Sequence, residues 1–175
     1  MQARIEIVDY DPLWPGRFAE EREHLLRAIG DWLRGPIEHI GSTAVPGLCA
    51  KPVIDIMAGV ESLPTSRDAI PGLRQLDYQY WPYKSDVMHW FCKPSDEFRT
   101  HHLHLVPVGS SMWLERLAFR DRLRADASAR IEYAALKDDL ATRYRDDREA
   151  YTEGKTDFVR RMVALELRQS VRVPR

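Results

Sequence analysis

Residues 37–60 read Ile-Glu-His-Ile-Gly-Ser-Thr-Ala-Val-Pro-Gly-Leu-Cys-Ala-Lys-Pro-Val-Ile-Asp-Ile-Met-Ala-Gly-Val. Ile37–Ile40 predicts a strand that delivers a Gly41-Ser42 turn. After a compact loop ending in Lys51-Pro52, Val53–Val60 is the clearest strand of the chain. Alternation places Val53, Asp55 and Met57 on one face of that strand and Ile54, Ile56 and Ala58 on the other. A loop of small residues leaves backbone N–H groups free to face a phosphate, and a carboxylate on the next strand can hold a cation beside it. The pattern points to handling of a phosphorylated small molecule.

Outward from this segment the chain alternates strand and helix signals. Arg4–Val8 alternates Ile5 and Ile7 with charged residues, as in a short half-buried strand or an extended arm. Phe18, Arg22, Leu25, Leu26, Ile29 and Trp32 or Leu33 share one helical face, which Gly35-Pro36 is expected to end. A helix is expected through Ile70, Leu73 and Leu76. Strands at Val87–Cys92 and Thr100–Val106 lie close enough in sequence to form an antiparallel pair. Beyond Gly109 the pattern is helical: Trp113–Arg124, Ser128–Tyr144 and Thr152–Val171. This order predicts an α/β (α+β) fold, one domain over residues 1–175, with a sheet-containing core over 1–110 and helices of 111–175 packed on it.

The composition, 44% hydrophobic and 30% charged over 175 residues, is that of a globular chain with a sizeable core. No apolar run approaches a membrane span, and the charged N-terminus lacks a signal-peptide core. Cys49 and Cys92 lack metal-type spacing and read as buried reduced thiols in a cytoplasmic protein. Residues 1–112 carry 11 Lys/Arg against 15 Asp/Glu, and residues 113–175 carry 15 against 12. The basic surplus is interleaved with acids, which argues for solvated helix faces and against a nucleic-acid stripe.

Several side chains stand out chemically. Gly41, Ser42 and Thr43 can cradle phosphate oxygens, or simply form a tight turn. Asp55 lies in an apolar strand, where an ionised carboxylate needs a partner, hydrogen bonds or a metal. Lys51, at the mouth of that strand, can meet a phosphate as a point charge. His102 and His104 share one strand face and suit either transition-metal ligation or proton transfer, the alternative being a hydrogen-bonded pair on an exposed face. His89 sits on the preceding strand, within possible reach of that pair. Arg120 and Arg124 are spaced i, i+4 and can form a cationic face over the sheet. Lys155 follows a Tyr-Thr-Glu-Gly turn at a helix start, where backbone donors attract anions. Trp113, Tyr133 and Tyr144 read as core.

With these residues placed, the chain resembles the GrpB family along nearly its full length. The signatures are Tyr10-Asp-Pro-Leu-Trp-Pro15, His39-Ile-Gly-Ser-Thr-Ala-Val-Pro-Gly-Leu48, Lys51-Pro-Val-Ile-Asp-Ile56, Arg99-Thr-His-His-Leu-His104, Phe119-Arg-Asp121, Tyr133-Ala-Ala-Leu-Lys137 and Asp147-Arg-Glu-Ala-Tyr-Thr-Glu-Gly-Lys155. The resemblance implies a nucleotidyltransferase-like fold, a mixed β-sheet flanked by helices. It also implies a Gly41-Ser42 turn that binds nucleotide phosphates and Asp55 as the first acid of an Asp-x-Asp metal pair. The second acid would stand at position 57, which is Met, and where a third would come from a later strand the chain offers His102 and His104. Hence the expectations: Asp55, His102 and His104 as catalytic residues and as ligands of a divalent metal (Mg, Mn or Zn), and Gly41, Ser42, Thr43, Lys51, Arg99, Arg120 and Lys155 as phosphate contacts. A nucleotidyltransferase acting on a nucleotide and a small acceptor is the leading function. A noncatalytic nucleotide or phospho-ligand sensor and a metal-dependent phosphoester hydrolase are the alternatives.

Overall fold

The computed structural model describes residues 4–172, apart from the side chains of 170–172. The single-domain expectation for 1–175 therefore reaches beyond the described residues at both ends. Five strands, β1 (Leu33–Ile40), β2 (Ile54–Val60), β3 (Gln79–Trp81), β4 (His89–Pro94) and β5 (Arg99–Pro107), form one mixed sheet in the order β1-β2-β5-β4-β3. Only β2 and β5 run parallel; the other neighbours are antiparallel. Helix α1 (Trp14–Ile29) precedes the strands, α2 (Leu63–Ser66) and α3 (Ile70–Gln75) lie between β2 and β3, and α4 (Ser111–Ala125), α5 (Ala127–Arg143), α6 (Arg148–Glu153) and α7 (Thr156–Arg172) follow the sheet.

The two faces of β2 are used differently. Ile54, Ile56 and Ala58 join Leu103, Leu105 and Phe91 in the main core, covered by Leu25 and Ile29 of α1 and Leu73 of α3. Met57 lies on the opposite face in a smaller cluster with Ile40, Met88, Val106 and Trp113 of α4. The loop 42–50 is held under the C-terminal helices, where Val45 and Leu48 pack with Leu123, Tyr133, Phe158 and Met162. The polar face of the central strands is thereby roofed by helices.

Several expectations change here. Gly35-Pro36 does not end the first helix. That helix stops at Ile29, a short 3₁₀ turn over Gly30–Trp32 follows, and Gly35-Pro36 lies inside β1. An edge strand tolerates a proline, and the register shifts between Leu33 and Ile37 to accommodate it. A Cβ on Gly35 would meet Val108 Cγ2 at 2.6 Å, so a larger residue there would have to displace the exposed Val108 side chain. The arm is extended, with Val8 bridging to Ala50. The helix expected over Thr152–Val171 is two helices, broken at Gly154-Lys155. Cys92 is buried but Cys49 only half-buried, and Tyr144 is 37% exposed rather than core.

Candidate functional site

The parallel register of β2 and β5 sets Asp55 opposite His102 and Met57 opposite His104. His102 donates its Nδ1–H to Asp55 Oδ1 at 2.8 Å. Burial would raise the Asp55 carboxyl, but the His102 hydrogen bond, the nearby imidazoles and Lys51 outweigh it and hold it far below the usual carboxylate range. The acid is therefore ionised, and it orients the imidazole. His102 Nε2 is buried and has no hydrogen-bond partner among the described residues.

The Gly41 turn closes over the other carboxylate oxygen. Gly41 has φ of 71°, and a Cβ there would stand 2.3 Å from Asp55 Oδ2. Both facts require glycine. The turn continues as a 3₁₀ segment over Ser42–Ala44, with the Tyr133 hydroxyl reaching Ser42.

Two lysines complete the place. Lys51 Nζ lies 5.0 Å and Lys155 Nζ 4.1 Å from the centroid of the same Tyr151 ring. Neither has a carboxylate within ion-pair distance among the described residues. Burial lowers the Lys155 ammonium to about 7, with Lys51, Lys137 and Arg116 acting the same way and Asp55 opposing them. Burial also lowers Lys51, with Asp55 opposing and Arg148 and Arg99 adding to the fall. One carboxylate, already bonded to His102, thus faces several cations. The chemistry available is anion attraction beside an aspartate-oriented imidazole.

Residues 4–164 match the family model described as GrpB protein. The chain belongs to the GrpB family. It is 41% identical over 165 residues to UPF0157 protein PA4798 of Pseudomonas aeruginosa, covering 91% of this chain and 66% of that protein. It is 34% identical over 163 residues to glutamate-rich protein GrpB of Alkalihalophilus pseudofirmus, covering 90% and 93%. A crystal structure of conserved protein GrpB from Enterococcus faecalis superposes with a TM-score of 0.85 at 29% identity, covering 94% of this chain and 99% of that one. The chain thus spans just under two thirds of the Pseudomonas protein's length. The mixed sheet flanked by helices is the GrpB fold, consistent with the nucleotidyltransferase-like superfamily.

Thr43 is buried, with Oγ1 3.0 Å from His39 Nε2 and 3.4 Å from the Val53 carbonyl, so its hydroxyl serves the turn. Arg120 is spent on Glu38 at 2.6 Å, Asp121 at 2.7 Å and the His39 carbonyl. Arg124 donates to the Ala44 carbonyl and borders a separate groove with Tyr10, Pro15 and Pro46. Arg99 lies over the Trp90 ring at 4.9 Å and is tied to Asp96. His89 turns to the Leu63 carbonyl on the core face, away from the histidine pair.

The donors expected around a metal do not converge. His102 and Asp55 are bonded to one another, whereas His104 Nδ1 lies 3.3 Å from Met88 Sδ. Burial lowers His104 to about 3, so it is a neutral, structural imidazole. Among the described residues no three His, Cys, Asp or Glu groups come together as a metal cage. As arranged, this set does not fit a resident metal.

Lys137 and Tyr151 lie inside the quoted signatures but carry no role that sequence alone assigns, and Arg116 lies outside them. Tyr151 is buried and gives both lysines their ring. Lys137 is 2% exposed, bonded to the Cys49 carbonyl and lowered by burial to about 8. The available signal was the four-residue spacing of Tyr133 to Lys137 along α5 and of Tyr151 to Lys155 across the α6–α7 junction, each setting an amine beside a ring.

Proposed function

We propose that the chain binds a phosphorylated small molecule between the Gly41-Ser42 turn and the Lys51–Lys155 pair, with a nucleotide as the leading ligand and nucleotidyl transfer as the reaction. The observation that carries this reading is the meeting of two carboxylate-free lysines over Tyr151, beside an ionised aspartate whose oxygen already holds His102. In the transfer, an acceptor hydroxyl loses its proton to His102 Nε2 as its oxygen bonds the α-phosphorus, and pyrophosphate leaves. Asp55 stabilises the resulting imidazolium, and Lys51 and Lys155 offset charge on the phosphates.

Met57 supports a second reading. It is fully buried among Ile40, Met88, Val106 and Trp113, which leaves the strand one carboxylate short of an acid pair. A site of this kind can bind a nucleotide without turning it over.

Calorimetry and thermal melts with nucleoside triphosphates and inorganic phosphate, with and without Mg²⁺, Mn²⁺ or Zn²⁺, test binding. Phosphorus NMR of the same mixtures with small acceptors tests transfer. Binding with pyrophosphate release, lost in Asp55→Asn and His102→Gln, is the expected result for the transferase. Binding without any product supports the sensor, and no stabilisation by any phosphate ligand rejects both.

A further inference from the structure

Lys51 and Lys155 approach one aromatic ring from two elements, the loop before β2 and the junction of α6 and α7. The charged groups around the Lys155 amine come from every side. Lys51 precedes β2, Asp55 is on β2, Arg116 is on α4 and Lys137 is on α5. Of these only Asp55 is anionic, and its Oδ1 accepts from His102. Two like charges so confined are relieved by a counterion that carries two charges. A monoanion leaves one ammonium crowding the other.

Resting on the phosphate-binding reading, we propose that this site selects dianions, such as a terminal phosphate, over monoanions, and takes the dianion up together with a proton that lands on Lys155. Lys155 is then the specificity-determining residue. Without a ligand the amine stands near half-protonation at neutral pH, since burial and its cationic neighbours lower it to about 7. The dianion removes that repulsion and returns the amine toward the ordinary lysine range, so the proton is drawn from solvent. A phosphodiester, with one charge, supplies less of this drive and binds more weakly.

Sulfate separates the amine from the ligand, because it stays dianionic across the whole range. Calorimetric titration of the full chain with sulfate, in buffers of different ionisation enthalpy, counts the protons exchanged. Uptake is expected to approach roughly one proton per sulfate at pH 8 and to fall to roughly a tenth at pH 6, where the free amine is already charged. Lys155→Arg should bind sulfate with almost no proton uptake at pH 7, where Lys137, lowered to about 8, is already largely charged and the parent takes up roughly half a proton. Lys155→Met should stay folded by circular dichroism but lose the preference, about tenfold in the parent, for sulfate and phosphate over dimethyl phosphate. Sulfate binding without proton uptake, uptake retained in Lys155→Arg, or selectivity retained in Lys155→Met would overturn the proposal and leave the phosphate site standing. If neither sulfate nor phosphate binds the parent chain at millimolar concentration, the phosphate-binding reading fails with it.

Discussion

Asp55 has its geometry fixed by neighbours on three sides: the His102 imidazole on Oδ1, the Gly41 backbone against Oδ2, and Lys51 within its field. An ionised carboxylate in such a strand survives only because these groups replace water. The glycine is the least replaceable, because it combines a left-handed φ with contact too close for any Cβ. Gly41→Ala is expected to cost about 2–4 kcal/mol, combining backbone strain with displacement of the carboxylate from His102. In the Asp55→Ala background the same change should cost at least about 1 kcal/mol less, because the displaced oxygens are gone. Urea unfolding of the four proteins measures this, and strict additivity would show that the contact is not the source of the loss. Asp55→Asn tests the charge alone. It should lower the Lys155 amine further, which lysine side-chain NMR reads as a titration midpoint below that of the parent.

At the scale of elements, β2 carries two programmes on alternate residues, and its sequence showed both. Ile54, Ile56 and Ala58 face the main core while Asp55 and Met57 face the other way, as period-2 alternation requires. His102 and His104 were placeable on one face of β5 for the same reason. What alternation cannot supply is the register between strands, which pairs Asp55 with His102 instead of His104. Nor does it supply tertiary capture: His104 goes to Met88, and Arg120 to Glu38, from segments distant in the chain. The three-residue β3 was invisible because Gln79–Trp81 is too short for any period to register. Gly35-Pro36 misled because a breaker signal reads the same at a helix end as at an edge-strand irregularity. The burial of Met57 yields an element-scale prediction. Met57→Asp, which writes in the missing second acid, should not restore a metal pair but destabilise the sheet by about 3–5 kcal/mol, since the charge enters an apolar cluster. A melting temperature equal to the parent's, with tight Mg²⁺ binding, would contradict this.

For the molecule as a whole, the roofed sheet and the clustered amines leave many titratable groups holding fewer or more protons than they would in the unfolded chain. Burial lowers His39 to about 4, with Arg124 and Arg120 adding to it, and lowers His104 to about 3. Between those values and the ordinary histidine range near 6.5 the unfolded chain binds more protons than the native one, so stability rises with pH. Each histidine contributes about 1.4 kcal/mol per pH unit, so the two together lose about 5 kcal/mol between pH 6 and 4. Asp55, held low, steepens the loss further only once pH falls below the ordinary carboxylate range. On the alkaline side Lys155 and Lys137, lowered to about 7 and 8, again leave the unfolded chain with more protons, and stability keeps rising toward about pH 10, near the ordinary lysine range. Tyr78, Tyr133 and Tyr151 have the opposite sign. Burial raises all three, so the native state keeps protons that the unfolded chain releases above pH 10, and stability falls there. The urea midpoint should therefore climb from pH 4 to a maximum near pH 10 and then decline, with His104→Met lowering the acid-side slope by about half. A maximum at or below pH 6 would mean that the buried histidines and clustered amines do not govern the protonation balance of folding.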